Sequence, residues 1–137
     1  MNSSHEDRTK KIDHLETLFN KGDMRVVIKE ARALIEEYNS GVAFNVLALA
    51  HKRLGDYEKA LRIFETLLVK NPNNTLFLGN LGNIYLEIGK LDNAETCFLK
   101  CVEIDPKDVN FALNLGNLYS TRTKFDQALF VFEKMLL

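Results

Sequence analysis

The chain has 137 residues, 46% of them apolar, 27% charged and 9% aromatic, with two prolines and no tryptophan. That is long enough to bury roughly 68–70% of the unfolded surface without disulfides or metals, and too apolar for a disordered segment. Eighteen Lys and Arg face nineteen Asp and Glu, a net charge of −1, which excludes a chain-wide attraction for nucleic acid or an acidic membrane. No stretch approaches the ~18 consecutive apolar residues of a membrane span. Short basic runs, Arg8 with Lys10 and Lys11, and Lys52-Arg53, read as solvated faces.

Residues 1–7 form a polar leader without the apolar core of an export signal. Over 8–40, Leu15, Leu18, Gly22, Val27, Ala31 and Leu34 follow a helical spacing. They fit the units that come next only with a one-residue deletion, and Lys11 and His14 stand where those units are apolar. This stretch reads as a degenerate N-terminal repeat.

From residue 41 onward the chain repeats every 34 residues, over 41–74, 75–108 and 109–137. Pro72 and Pro106 share a column. So do Leu47/Leu81/Leu115, Ala48/Gly82/Gly116, His51/Tyr85/Tyr119, Ala60/Ala94/Ala128, Phe64/Phe98/Phe132 and Leu67/Cys101/Met135. Apolar steps of three and four within each unit predict two amphipathic helices. Gly55 and Gly89 sit where a first helix must end, and Asn71-Pro72-Asn73-Asn74 and Asp105-Pro106-Lys107-Asp108 read as turns between units. The Ala and Gly columns let helices approach, and the phenylalanines are expected to wedge between one helix pair and the next.

Cys97 and Cys101 lie four apart in a predicted helix, the wrong spacing for a CxxC redox pair, and no second ligand cluster completes a zinc site. Cys101 falls in a core column and Cys97 is expected to be less buried. Both read as reduced thiols of a cytoplasmic protein. Of His5, His14 and His51, the last shares its column with two tyrosines and reads as a packed imidazole. No HExxH, GxSxG or phosphate-binding glycine loop is present, so neither catalysis nor a cofactor is expected. The sequence stops at Met135-Leu136-Leu137, inside a predicted helix. From this we expect either a piece of a longer repeat protein or pairing with another copy.

Leu81-Gly82-Asn83-Ile84-Tyr85, followed by Ala94, Phe98 and Pro106, resembles the tetratricopeptide repeat family. The resemblance is good over 41–137 and poor over 8–40. Thr123 for the turn glycine, Ala112 for a large apolar residue and His51 for tyrosine depart from the family pattern. The resemblance implies an all-α fold, an αα-hairpin solenoid wound as a right-handed superhelix and forming one domain. Its first helices would line a concave face that binds an extended peptide or a partner helix.

Helical geometry then places Val42, Asn45, Val46, Leu49 and Lys52 on that face, with Leu76, Gly79, Asn80, Asn83 and Glu87 in the next unit and Asn110, Leu113, Asn114, Asn117 and Thr121 in the last. The candidate peptide-binding residues are Asn45, Leu49, Leu76, Asn80, Asn83, Asn110, Leu113, Asn114 and Asn117. Asn80/Asn114 and Asn83/Asn117 make an asparagine ladder, whose amides donate and accept and so can hold a peptide backbone without reading its side chains. This ladder resembles the repeats of O-linked N-acetylglucosamine transferases. The carboxylate clamp of chaperone-binding relatives would fall on Asn45, Leu49, Asn80, Asn110 and Asn114, which offer no cation. The expectation is an interaction scaffold with a protein or peptide partner. The alternatives are the substrate-recruiting region of a larger glycosyltransferase, sulfotransferase or oxygenase, and self-assembly through the C-terminal repeat.

Overall fold

A computed structural model describes residues 2–122 and 125–136, leaving aside the side chains of Asn2, Phe125, Asp126 and Ala128. Eight helices and no strand occur among the described residues: α1 (Asn2–Lys21), α2 (Met24–Tyr38), α3 (Gly41–Arg53), α4 (Tyr57–Lys70), α5 (Thr75–Glu87), α6 (Leu91–Ile104), α7 (Val109–Thr121) and α8 (Phe125–Leu136). The fold class is the expected one, all-α and built of αα-hairpins. The polar leader is not separate from it, because residues 2–7 form the first turns of α1.

Local chemistry sets the helix ends. Ser40 Oγ accepts from the Ala43 N–H at 3.3 Å, Asn74 Oδ1 from Phe77 at 3.1 Å and Asp108 Oδ1 from Asn110 at 2.9 Å, each satisfying a donor that the first helical turn leaves open. At the other end of α3 and α5 the chain must enter the left-handed region. Gly55 and Gly89 do so at φ +81° and +82°, and the next residues close the turn, Asp56 N–H onto His51 O at 2.9 Å and Lys90 N–H onto Tyr85 O at 2.8 Å. Between repeats, Asn74 N–H returns to Asn71 O and Asp108 N–H to Asp105 O, as expected of turns containing Pro72 and Pro106. Thr123 lies outside the described residues.

The chain divides into two compact units, the first ending at Leu67 and the second beginning at Leu68, inside α4. In unit one, Leu15, Val27, Ala31, Leu34, Ala43, Leu47 and Ala50 make a core from α1, α2 and α3. Val46 is buried in this core, although its helical position suggested an open face. Lys11 is accommodated as a charged staple: its ammonium stands 3.0 Å from Glu37 and 3.2 Å from Asp7, while Tyr38 donates to Asp7 at 2.8 Å. Arg53 lies 3.9 Å over the Phe19 ring and donates to the Phe19 carbonyl, tying α3 to α1. His51 is buried, and desolvation holds its pKa below the ordinary 6.5 against the opposing pull of Asp56.

In unit two the core joins Ala94 and Phe98 of α6 to Ala112, Leu115, Leu118 and Tyr119 of α7 and Val131 of α8. A Cβ on Gly82 would stand 2.6 Å from Phe98 Cε1, and one on Gly116 would meet the Phe132 ring in the same way. Phe98 and Phe132 are therefore each seated on the glycine of their own hairpin, and Phe98 also packs against α7 of the next hairpin, as expected. Cys101 is fully buried and Cys97, though buried, is slightly more exposed (7%), as expected, and Cys101 Sγ donates to the Thr75 carbonyl at 3.7 Å. Burial pushes both thiols up to about 11. Arg122, at the end of α7, bridges back to Asp92 and to Glu95 (2.8 Å) on α6, and Glu95 accepts from Tyr119 at 3.2 Å.

Candidate peptide-binding face

The asparagine ladder lies wholly within unit two. In the 34-residue register the columns holding Asn80/Asn114 and Asn83/Asn117 hold Val46 and Leu49 in α3. Asn45 is buried and Leu49 half-buried in α3, which belongs to unit one. On α5 and α7, Leu76 is 54% and Leu113 42% exposed. Asn110 and Asn117 are exposed, while Asn80, Asn83 and Asn114 are half-buried.

A contact that the sequence reading missed brings the two strips together. Gly79 is buried, and the ring of Phe111 reaches over it from α7, its Cε1 3.6 Å from where a Gly79 Cβ would stand. The half-buried Phe111 ring thus lies against the middle of α5. The available signal was Gly79 itself, a mid-helix glycine that neither a turn nor the Gly82/Gly116 packing column explains. Val109, 53% exposed at the start of α7, was also missed and adds an apolar group beside Asn110.

The ends of the two helices are fixed by side-chain contacts. Asn74 and Asp108 fix where α5 and α7 begin, and Arg122 ties the end of α7 to α6. What such a surface offers is amide donors and acceptors between aliphatic side chains, with no nucleophile and no acid–base pair. No group of three His, Cys, Asp or Glu able to hold a metal occurs among the described residues, and no helix among them is long and apolar enough to cross a membrane.

Two family models, each described as tetratricopeptide repeat, match the chain at residues 45–109 and 97–130. No curated protein sequence matches it. Among solved structures it is similar to MamA from Desulfovibrio magneticus RS-1, with 18% identity and a TM-score of 0.79 over 94% of this chain and 73% of that one. It is similar, too, to TTC0263, a thermophilic TPR protein of Thermus thermophilus (18%, TM-score 0.80, 94% of this chain and 73% of that one). A tetratricopeptide repeat protein from Parabacteroides merdae ATCC 43184 gives 19% identity and a TM-score of 0.80 over 96% of this chain and 53% of that one. At these identities the likeness establishes the fold, that of tetratricopeptide repeat solenoids. Two matching models of one family, spanning 45–130 between them, and the αα-hairpins observed there lead to one assignment: residues 45–130 of this chain are tetratricopeptide repeats.

Proposed function

We propose that the chain is a protein-interaction scaffold that holds an extended segment of a partner protein on the face of α5 and α7. A tetratricopeptide repeat fold is suited to such a role. The observation that carries the reading is the pairing of Asn80, Asn83, Asn114 and Asn117 with the exposed Leu76 and Leu113 on two helices joined through Phe111 and Gly79. Amides in a row match the alternating donors and acceptors of an extended backbone, and flanking leucines supply the apolar area that affinity requires. Unlike a carboxylate clamp, this arrangement holds no cation and does not select a chain terminus.

The test is a pull-down from the source cell's lysate, comparing the wild-type chain with a variant carrying Asn80, Asn83, Asn114 and Asn117 all as Ala. The four positions are exposed or half-buried, so the variant keeps its circular dichroism spectrum and melting temperature within a few degrees. Loss of specific proteins from the variant supports the reading; retention of the same set by both refutes it.

A second reading, self-assembly through α8, is favoured by its exposed Leu129 (58%), Phe130 (60%) and Leu136 (83%). Val102, one repeat before Leu136, packs instead against the α7 cluster. Sedimentation as a monomer at high concentration would remove this reading.

A further inference from the structure

The charge distribution of the repeats says what kind of segment the α5 and α7 face can take. The chain is 27% charged, yet α5 carries a single ionised side chain, Glu87 in its last turn, and α7 carries none. Helix α6, between them in sequence, has Asp92, Glu95, Lys100 and Glu103. Neither α5 nor α7 therefore places a fixed charge among Leu76, Asn80, Asn83, Leu113, Asn114 and Asn117. Among the described residues, charges flank the two ends: Asp105, Lys107 and Asp108 in the turn before α7, and Glu87 and Arg122 at the opposite end, the latter paired with Asp92 and Glu95.

A charged side chain laid on such a face would lose hydration and gain no counter-charge, a net cost. An apolar side chain would gain burial, and the half-buried Phe111 ring beside Gly79 offers it a flat surface. Resting on the function proposed above, we infer that the stretch of partner seated on α5 and α7 is an uncharged, apolar-rich peptide segment with one aliphatic or aromatic side chain against Phe111. Its binding is nearly independent of salt, because no ion pair contributes to it.

The experiment is an array of decapeptides of varied apolar content and graded net charge, from about −4 to about +4, probed with the full chain at about 50 and about 500 mM NaCl. Three further proteins are probed in parallel: the fourfold Asn→Ala variant, Asn117→Lys and Phe111→Ala. Wild type is expected to retain uncharged peptides rich in Leu, Val, Ile or Phe, with less than about a twofold change between the two salts. Phe111→Ala is expected to lose about tenfold or more in retention, as when an aromatic anchor is truncated. Asn117→Lys, at an exposed position, is expected to move the retained set toward acidic peptides and to make retention fall with salt. The Asn117→Lys arm stands even if Phe111→Ala fails to fold. If wild type retains charged peptides that salt releases, and the Asn→Ala variant loses them, the uncharged-partner inference is overturned while the binding face survives. If wild type retains nothing, or the Asn→Ala variant retains the same peptides, the binding face falls and the inference with it.

Discussion

Two glycines of the same helix should answer oppositely to the same substitution. Gly79 and Gly82 both lie inside α5, so replacing either by Ala gains a similar helix-propensity term, about 0.8–1 kcal/mol. At Gly79 the new methyl would meet only Phe111 Cε1 at 3.6 Å, an ordinary contact, and the propensity gain is retained. At Gly82 it would stand 2.6 and 2.9 Å from two atoms of the Phe98 ring and 3.1 Å from Cys97 Cβ. Phe98 is fully buried in the cluster with Ala112, Leu115 and Tyr119, so its ring cannot yield without displacing α7. Overpacking of this kind costs about 1–3 kcal/mol. The propensity term cancels in the difference, so Gly82→Ala is expected to be about 1–3 kcal/mol less stable than Gly79→Ala, with Gly79→Ala above wild type. Urea unfolding followed by circular dichroism measures this, provided the slopes agree among the three proteins. Equal stabilities for the two variants would refute the seating of Phe98 on Gly82 and, with it, the account of why this column of the repeat is small.

Two further outcomes follow from the buried titratable groups. His51 is held below its ordinary pKa by desolvation first, with Asp56 opposing, so as pH falls through 6.5 the unfolded chain takes up the proton before the folded one does. Stability is therefore complete above 6.5 and declines below it toward the folded-state pKa. A His51→Tyr variant, matching Tyr85 and Tyr119 in that column, should unfold at a urea midpoint less dependent on pH between 7.5 and 5.5, and an unchanged dependence would count against a desolvated imidazole. Cys97 and Cys101, both buried and raised to about 11, should react with a thiol reagent at neutral pH only in denaturant; rapid native-state labelling of both would contradict the packing of α6.

Much of this was legible in the sequence because a repeat states each structural requirement several times. One Gly-x-x-Tyr means little, but the recurrence of Ala48/Gly82/Gly116 and Phe64/Phe98/Phe132 fixes which face of each helix is packed, and Gly55 and Gly89 fix where it turns. What could not be read is whatever occurs once. The first repeat has no second copy of its Lys11 staple, and nothing in a 34-residue comparison reveals that Lys11 finds Asp7 and Glu37. Nor does it reveal that the leader joins α1. Asn45, a candidate binding residue outside the ladder, shares its column with Gly79 and Leu113, and its burial could not be read from that column. Cys97 was legible by contrast: its column holds Ile63 and Val131, and Gly82 lets α6 approach α5 closely enough that a Cβ there would touch Cys97 as well.

The same comparison separates what the fold demands from what it merely accepts. Gly82 and Gly116 are demanded, since Phe98 and Phe132 occupy the space that a side chain would need. The asparagines are not. Their columns hold Val46 and Leu49 in α3, so a hairpin of this chain also forms with aliphatic residues there. Asn is also a poorer residue than Leu for a helix interior, and the half-buried Asn80, Asn83 and Asn114 forgo the burial free energy that Val or Leu would gain. Four mid-helix asparagines are thus kept in α5 and α7 against both local propensity and packing. A surface that binds the backbone of another chain, as proposed above, gives a reason for keeping them.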